Sequence, residues 1–371
     1  MKENKILNIL NELKFSGAEV MLRYSANFFK DRGYDLFCLS TGKRIGEYSE
    51  ILAQNGYKIS HLCFCKSPIY FYRFYKFIKQ QKFAVVHIHP ERGFFLHAFL
   101  ARIAGCKKVV RTIHSVFQFK GLLKSRKKIE RKLAEKILKV HFIAVSESVY
   151  INEKERFSIT CRLIDNWVDM DLFRPARNLE EKKNLRNANG INQDFFIIIS
   201  VGSCTLVKNH SHILQALEQS IKKCPNLYYL HVGNGELLKK EKQLAATLGI
   251  ESRVCFCGTT DKLYPFLIMS DIFIMPSEYE GIGIAAMEAM SCALPVIAYD
   301  VPGLRDLIDD QIDGYLIEKN YNELAHCLIQ AYNNKDRLII LGKKAREKTT
   351  KRYNKDINLI KLLQIYTSNG T

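Results

Sequence analysis

The stretch DIFIMPSEYEGIGIAAMEAMS, Asp271–Ser291, decides how the rest of the chain reads. Ile272–Met275 is a short apolar run, and Pro276 ends it because proline has no N–H to give to a sheet ladder. A polar loop follows, with Gly281 and Gly283 where backbone must come close to something. Ala285 to Met290 is then rich in alanine and methionine, both strong helix formers. Buried strand, glycine loop and helix start make one βα unit, and fresh helix N–H groups point back at the strand end, where an anion can sit.

Working outward, the same unit recurs. KILNIL, YDLFCLS, KISHLCF, FAVVHIH, KVVRTIH and HFIAVS are strand candidates in the first half, separated by segments of 3.6-residue periodicity such as GAEVMLRYSANFFKDRG. The pattern pauses at NWVDMDLFRPARNLEEKKNLRNANG, which is polar and holds no strand candidate. It resumes with FFIIISVG, LYYLHVG, RVCFCG, DIFIMPS, PVIAYD and GYLIE. Strand–helix–strand alternation predicts parallel sheets covered on both faces. The expected organisation is α/β, with two doubly wound domains. Their spans are 1–165 and 194–350, with a linker region at 166–193 and a final helix at 351–371 crossing back to the first domain. A crevice between the domains, at the carboxyl ends of strands, is the expected ligand site.

The 371 residues are too many for one ordinary core, and 47% are hydrophobic, which excludes disorder. No apolar run approaches the roughly 18 residues that cross a bilayer. The opening MKENKILNILNELKFSG is too polar for a secretory signal, so a cytoplasmic protein is expected. Eleven cysteines are scattered along the chain. The close pairs Cys63/Cys65 and Cys255/Cys257 lack histidines at zinc spacing and are expected to be reduced, buried thiols rather than metal ligands.

Charge is uneven. The chain carries a formal +18, and residues 1–180 hold 33 Lys and Arg against 17 Asp and Glu, whereas residues 181–371 hold 23 against 21. Between 61 and 120, eleven cations face one acid, Glu91. A half-molecule this basic seeks a polyanion, either an anionic membrane or a nucleic acid, unless it is simply a solvated surface.

Glu280 and Glu288 stand eight residues apart. At about 1.5 Å per residue they span roughly 12 Å. Glycosidase carboxylates sit about 5–9.5 Å apart, so a hydrolytic pair is excluded. Two acids at this spread suit hydroxyl recognition at two ends of a ligand whose anionic middle lies on the helix terminus. A nucleoside diphosphate sugar has that order: hexose, phosphates, ribose. Two solvated acids on a surface helix are the plain alternative.

SEYEGIGIAAMEAMSCALPVIAYDVPGLRDLI, followed by DGYLI, resembles the signature of glycosyltransferase family 4, in which two glutamates flank seven residues. SGAE at Ser16–Glu19, VSES at Val145–Ser148, NWVDMDLFRP at Asn166–Pro175, VGSCTLVKNH at Val201–His210 and HVGNGELLKK at His231–Lys240 resemble further family motifs in family order, over nearly the whole chain. The resemblance implies the GT-B fold, two Rossmann-like domains facing each other across a cleft, and retaining transfer without a metal. It also implies that Glu280 contacts the donor hexose, Glu288 the ribose and Lys208 the diphosphate. Backbone near Gly281, Ile282, Gly283 and Ile284 holds the phosphates, joined by the turn at Gly233 and Asn234, and Gly17 closes over them. His114 in RTIHS aligns with a family histidine near the donor sugar; taken alone it reads equally well as a core residue. The nucleotide sugar is a substrate, and no cofactor is expected. Two positions depart from the family: Ser203 stands where it usually has arginine, and Trp167 where it has glycine. The Asp-x-Asp at Asp169–Asp171 lies in the linker motif and is not expected to bind a metal.

The N-terminal domain is the expected acceptor side. SPIYFYRFYKFIKQQKF interleaves aromatics with Arg73, Lys76, Lys79 and Lys82. FKGLLKSRKKIERKLAEKILKV carries nine cations, among them Lys124, Arg126, Lys127 and Lys128. On a helix, Leu122, Leu123, Ile129, Leu133, Ile137 and Leu138 can share a side ringed by cations, the pattern of an interfacial helix on anionic lipid. Single-stranded nucleic acid would also suit interleaved aromatics, but no nucleic-acid motif accompanies them, and none is expected as a partner. A core-packed helix with a solvated basic face is the structural alternative. The expected function is transfer of a hexose or N-acetylhexosamine, with UDP the expected nucleotide. The acceptor would be lipid-linked, in bacterial capsule, exopolysaccharide or O-antigen synthesis, with the protein peripheral on the inner membrane face. A soluble or protein acceptor, and a degenerate non-catalytic partner, are the competing functions.

Overall fold

A computed structural model describes residues 4–368. The chain divides into two compact units, residues 1–166 with 355–371, and residues 167–354.

The first unit holds one seven-stranded sheet of β1 (Lys5–Leu10), β2 (Asp35–Ser40), β3 (Lys58–His61), β4 (Val85–Ile88), β5 (Lys108–Ile113), β6 (His141–Ala144) and β7 (Cys161–Leu163). All neighbours pair in parallel, in the order β3-β2-β1-β4-β5-β6-β7. β1 and β4 are each buried along nearly their whole length, as a sheet covered on both faces requires. β7 was not among the sequence-based strands; three residues, two of them exposed, carry no periodicity to read. The last helix, Lys355–Thr367, belongs to this unit. Its Tyr366 ring stacks on Phe29, and the Tyr366 hydroxyl lies 2.6 Å from Nδ1 of His87.

The second unit holds β8 (Phe196–Val201), β9 (Leu227–Val232), β10 (Val254–Gly258), β11 (Ile272–Met275), β12 (Val296–Tyr299) and β13 (Gly314–Ile317). They are all parallel, in the order β10-β9-β8-β11-β12-β13. Residues 167–193 form part of this unit rather than a free linker. Asn178 caps a helix at Leu179–Ala188 by accepting the Glu181 N–H at 2.9 Å. Arg186 on that helix is buried and donates to the Met269 carbonyl and to Asp271. In both sheets the strand order reverses once, between β1 and β4 and between β8 and β11. Such switch points are where doubly wound sheets open a crevice at their carboxyl ends.

The cysteines correct one expectation. Among the described residues none forms a disulfide, but Cys63 and Cys65 are exposed, and Cys255 and Cys257 are only half-buried. β3 ends at His61, so CFC runs on past the sheet and only Phe64 turns inward.

Candidate functional site

The switch point of the second unit gathers the two residues most sharply singled out by sequence. β8 runs into the loop 202–209, which carries Lys208, and the helix His210–Ile221 follows. β11 runs into the loop 276–283, which carries Glu280. Lys208 Nζ donates to Glu280 Oε1, and Ser277 Oγ donates to the same oxygen at 2.9 Å. The lysine side chain is 24% exposed and the glutamate 13%, so the pair is partly desolvated yet open to a ligand. Backbone fixes both loops: Glu278 N–H donates to the Val207 carbonyl at 2.8 Å, and Cys204 N–H to the Asn234 carbonyl at 3.1 Å.

Two glycines are required by close approach. A Cβ on Gly233 would sit 1.9 Å from the Gly202 carbonyl oxygen, so only glycine lets the β8 and β9 loops touch. Gly283 has φ of 77°, and a Cβ there would meet Leu304 and Met275. It precedes the helix Ile284–Ser291, whose first N–H groups therefore lie at the same switch point. Glu288 lies about one turn along that helix with 4% of its surface exposed. Its charge, after burial, helps push the Cys292 thiol up. Glu278 takes other partners, accepting from Lys319 at 2.8 Å and from Asn209 at 3.3 Å. Asp169 is a turn residue: its Oδ1 accepts N–H groups of Asp171 at 3.1 Å and Leu172 at 3.3 Å, which is how this structure uses the Asp-x-Asp.

The first unit places His114 and Gly17 at the carboxyl ends of its own sheet. His114 is not a lone histidine. Its Nε2 lies 2.9 Å from Nδ1 of His89, whose other nitrogen is 3.3 Å from Asn8 Oδ1. The His87 ring lies 4.2 Å from that of His89, tilted by 31°. Burial first, then the neighbouring Arg111 cation, holds His114 down to about 3, so the ring is neutral. Sequence reading missed His87 and His89, although HIHP at 87–90 marks two imidazoles on one strand face. Gly17 begins the helix Gly17–Lys30. Ser16 Oγ donates to the buried Glu19, and burial raises that carboxyl to about 7.

The basic helices are arranged differently from the expectation. Helix Gly121–Lys136 turns Arg131 and Ala134 inward and leaves Leu122, Ile129, Leu133 and the capping Ile137 just past its end exposed at 90%, 58%, 39% and 69% of their surface. Arg131 is held by Glu153 at 2.7 Å and Glu91 at 3.0 Å, with the Phe157 ring 4.3 Å away. Lys127 is a correction to the free-cation set. It is only 13% exposed and pairs with Glu91 and Glu130, both at 3.1 Å. Arg126 is exposed and bonded to Glu130 at 2.8 Å, and Lys124 and Lys128 are half-buried. Helix Pro68–Gln81 packs Tyr70, Phe74 and Ile78 inward and leaves Ile69, Tyr72, Arg73, Lys76 and Lys79 exposed. Among the described residues no helix is long and apolar enough to cross a membrane.

Comparison with known proteins settles the family. Residues 181–352 match the model described as Glycosyl transferases group 1, and residues 15–172 the model described as Glycosyltransferase Family 4. The chain belongs to the family 4 glycosyltransferases. This transferase is 28% identical over 305 residues to the UDP-Gal:alpha-D-GlcNAc-diphosphoundecaprenol alpha-1,3-galactosyltransferase of Escherichia coli, covering 78% of this chain and 77% of that one. It is 27% identical over 302 residues to the putative glycosyltransferase EpsD of Bacillus subtilis, covering 79% and 78%. Among solved structures it is similar to Anabaena HepE in complex with UDP, with a TM-score of 0.82 at 19% identity over 98% of this chain and 100% of that one. A Rickettsia africae glycosyltransferase gives 0.82 at 22% identity over 99% and 98%. At that identity the likeness speaks for the fold, which is GT-B with two Rossmann-like α/β units.

Proposed function

We propose that this glycosyltransferase moves a hexose or N-acetylhexosamine from a UDP sugar to a lipid-linked acceptor in bacterial surface-polysaccharide synthesis, with retention of the anomeric configuration. The observation that carries the donor reading is the Lys208–Glu280 pair at the β8/β11 switch point, beside the helix that starts at Gly283. Negative charge grows on a nucleoside diphosphate as it leaves. A lysine and a helix N-terminus aimed there stabilise the transition state more than the ground state. Lys208 would exchange its bond to Glu280 for the diphosphate, freeing Glu280 to accept from a donor hydroxyl. The Gly233–Asn234 turn and the backbone from Gly281 to Ile284 would line the phosphates, and Glu288 would take the ribose. His114 and Gly17 are proposed to serve transfer on the family resemblance. No metal is needed at the diphosphate in this scheme, because fixed cations and dipoles supply the charge.

UDP is favoured by the name of the E. coli relative and by the UDP bound in HepE. A lipid-linked acceptor is favoured by the same relative's diphosphoundecaprenol and by the exposed apolar stripe of helix Gly121–Lys136, which would seat the protein on the inner face of an anionic membrane. Thermal protection by a panel of nucleotide sugars tests the donor, since a true ligand raises stability. UDP sugars should protect and Lys208→Ala should abolish the effect. Incubation with the protecting donor, an undecaprenyl-diphosphate sugar and EDTA should yield a product whose anomeric configuration matches the donor. An inverted product, or protection indifferent to Lys208, would overturn the proposal.

A further inference from the structure

Behind the loop that carries Lys208, four segments bring together Cys204, His210, His231 and Glu241. Cys204 follows β8, His210 opens the next helix, His231 lies in β9, and Glu241 sits on the helix Leu238–Thr247. All four are buried, at 0%, 3%, 0% and 4% exposure. One potential ligand atom from each lies within 4.8 Å of the others. Cys204 Sγ is 3.1 Å from His231 Nε2, and His210 Nδ1 is 3.3 Å from Glu241 Oε1. That last approach lacks hydrogen-bond geometry: His210 Nδ1 and Glu241 Oε2 are buried without a hydrogen-bond partner. Buried polar atoms left so are costly, and a native fold needs a reason for them.

We propose that these four side chains bind one zinc-class divalent cation. The donor set is one sulfur, two imidazole nitrogens and one carboxylate oxygen, which suits zinc and not magnesium or calcium. With Zn–N near 2.0 Å and Zn–S near 2.3 Å, a tetrahedron has edges of about 3.3–3.6 Å. The two measured contacts already stand near that length, and the rest need a modest contraction. Charge also balances. Binding releases the Cys204 proton to solvent, so a thiolate and a carboxylate neutralise the ion and the buried site carries no net charge. Neighbours already fix His231: Ser200 Oγ lies 3.1 Å and Tyr229 OH 3.3 Å from its Nδ1, which leaves Nε2 for the metal.

Four protein ligands leave no open position, so the site is structural and separate from the Lys208–Glu280 pair. Its reach is still functional. Cys204 and His210 bracket the segment Thr205–Asn209, so the ion ties down both ends of the loop that presents Lys208. This consequence rests on the donor reading above; the metal site itself does not.

The test uses the full chain purified without an affinity metal. Metal analysis after growth with added zinc should find about one zinc per chain. After removal by a strong chelator, Co²⁺ should give the visible bands of a tetrahedral site with a thiolate charge-transfer band. Cys204→Ser should remove that band. Zinc should also shield Cys204 from alkylation, mapped by mass spectrometry against the exposed Cys63 and Cys65. These readouts involve no nucleotide, so they stand or fall apart from the donor assignment. Folded wild-type protein that holds below about 0.1 zinc, shows no tetrahedral cobalt spectrum and alkylates Cys204 equally with and without zinc would overturn the proposal and leave a metal-free hydrogen-bonded cluster.

Discussion

If Glu280 holds Lys208 until a diphosphate arrives, mutating the two residues should move UDP affinity in opposite directions. Lys208→Ala removes a charge-assisted contact to phosphate worth about 1.5–3 kcal/mol, so the Kd for UDP should rise about 10- to 150-fold. Glu280→Gln keeps the shape but frees the lysine. The pair is 24% and 13% exposed, less screened than the surface pairs that give up to about 1 kcal/mol. Its loss should return about 1–1.5 kcal/mol to UDP binding, a tightening of about 5- to 12-fold. The double variant should match Lys208→Ala alone, because the carboxylate then has no lysine to occupy. Isothermal calorimetry with UDP, which lacks the sugar that Glu280 is proposed to contact, isolates this competition. Weaker binding by Glu280→Gln, or unchanged binding by Lys208→Ala, would refute the exchange. Transfer should fall in both single variants, including the one that binds UDP more tightly.

Three other outcomes can be measured directly. Gly283→Ala should destabilise the second unit by about 1–3 kcal/mol in urea, from its φ of 77° and the clash with Leu304, and should weaken UDP binding as the helix start shifts. Glu91→Gln should cost about 3–5 kcal/mol, because it leaves Arg111 and Arg131 buried with less compensation. Stability of the first unit should fall with acid: burial holds His87 and His97 down to about 3, while unfolded imidazoles take up protons near 6.5, so the unfolded chain binds more protons between those values. Glu19, raised to about 7, opposes this by binding a proton when folded. The net loss should be about 1 kcal/mol or more per pH unit from 6.5 to 5.5, and Glu19→Gln should steepen it.

All six strands of the second unit stood out in the sequence because each is a short apolar run between glycine or polar breaks. β7 did not, being three residues on a sheet edge. Glu280 and Lys208 were legible as motif residues, but their bond was not. It joins positions 72 apart, and only the strand order β8-β11 makes them neighbours. The histidine pair failed for a similar reason: His89 and His114 each follow directly on a strand, β4 and β5, and the two ends become neighbours only in the sheet. The cluster at Cys204 hid in plain composition. Its ligands alternate between loop, helix and strand, so no short spacing announces them, whereas the paired cysteines that do show a short spacing lie elsewhere.

Charge summed along the sequence hides the pairing that the fold creates. Glu91, the single acid between 61 and 120, meets Arg111, Lys127 and Arg131, and Glu153 completes the Arg131 site. Of the window's eleven cations only Arg111 is among them, but on helix Gly121–Lys136 the pairing takes Lys127 and Arg131 out of the surface set, so docking through that helix should depend less on charge than its sequence implies. Leu122, Ile129, Leu133 and Ile137 together expose the equivalent of about two and a half side chains, or about 4–7 kcal/mol if buried in lipid. Exposed Arg126, Lys132 and Lys136 on the same helix contribute about 1 kcal/mol each near an anionic surface. The apolar share thus matches or exceeds the electrostatic one. Binding to anionic liposomes should weaken as the Debye length drops from about 10 Å at 0.1 M salt to about 3 Å at 1 M, yet persist in part. Because Leu133 is exposed and Arg131 is the buried residue, Ile129→Asp with Leu133→Asp should clearly weaken docking and leave the unfolding midpoint and UDP affinity unchanged. Docking lost completely in 1 M salt, with that double variant behaving as wild type, would show that charge alone holds the membrane.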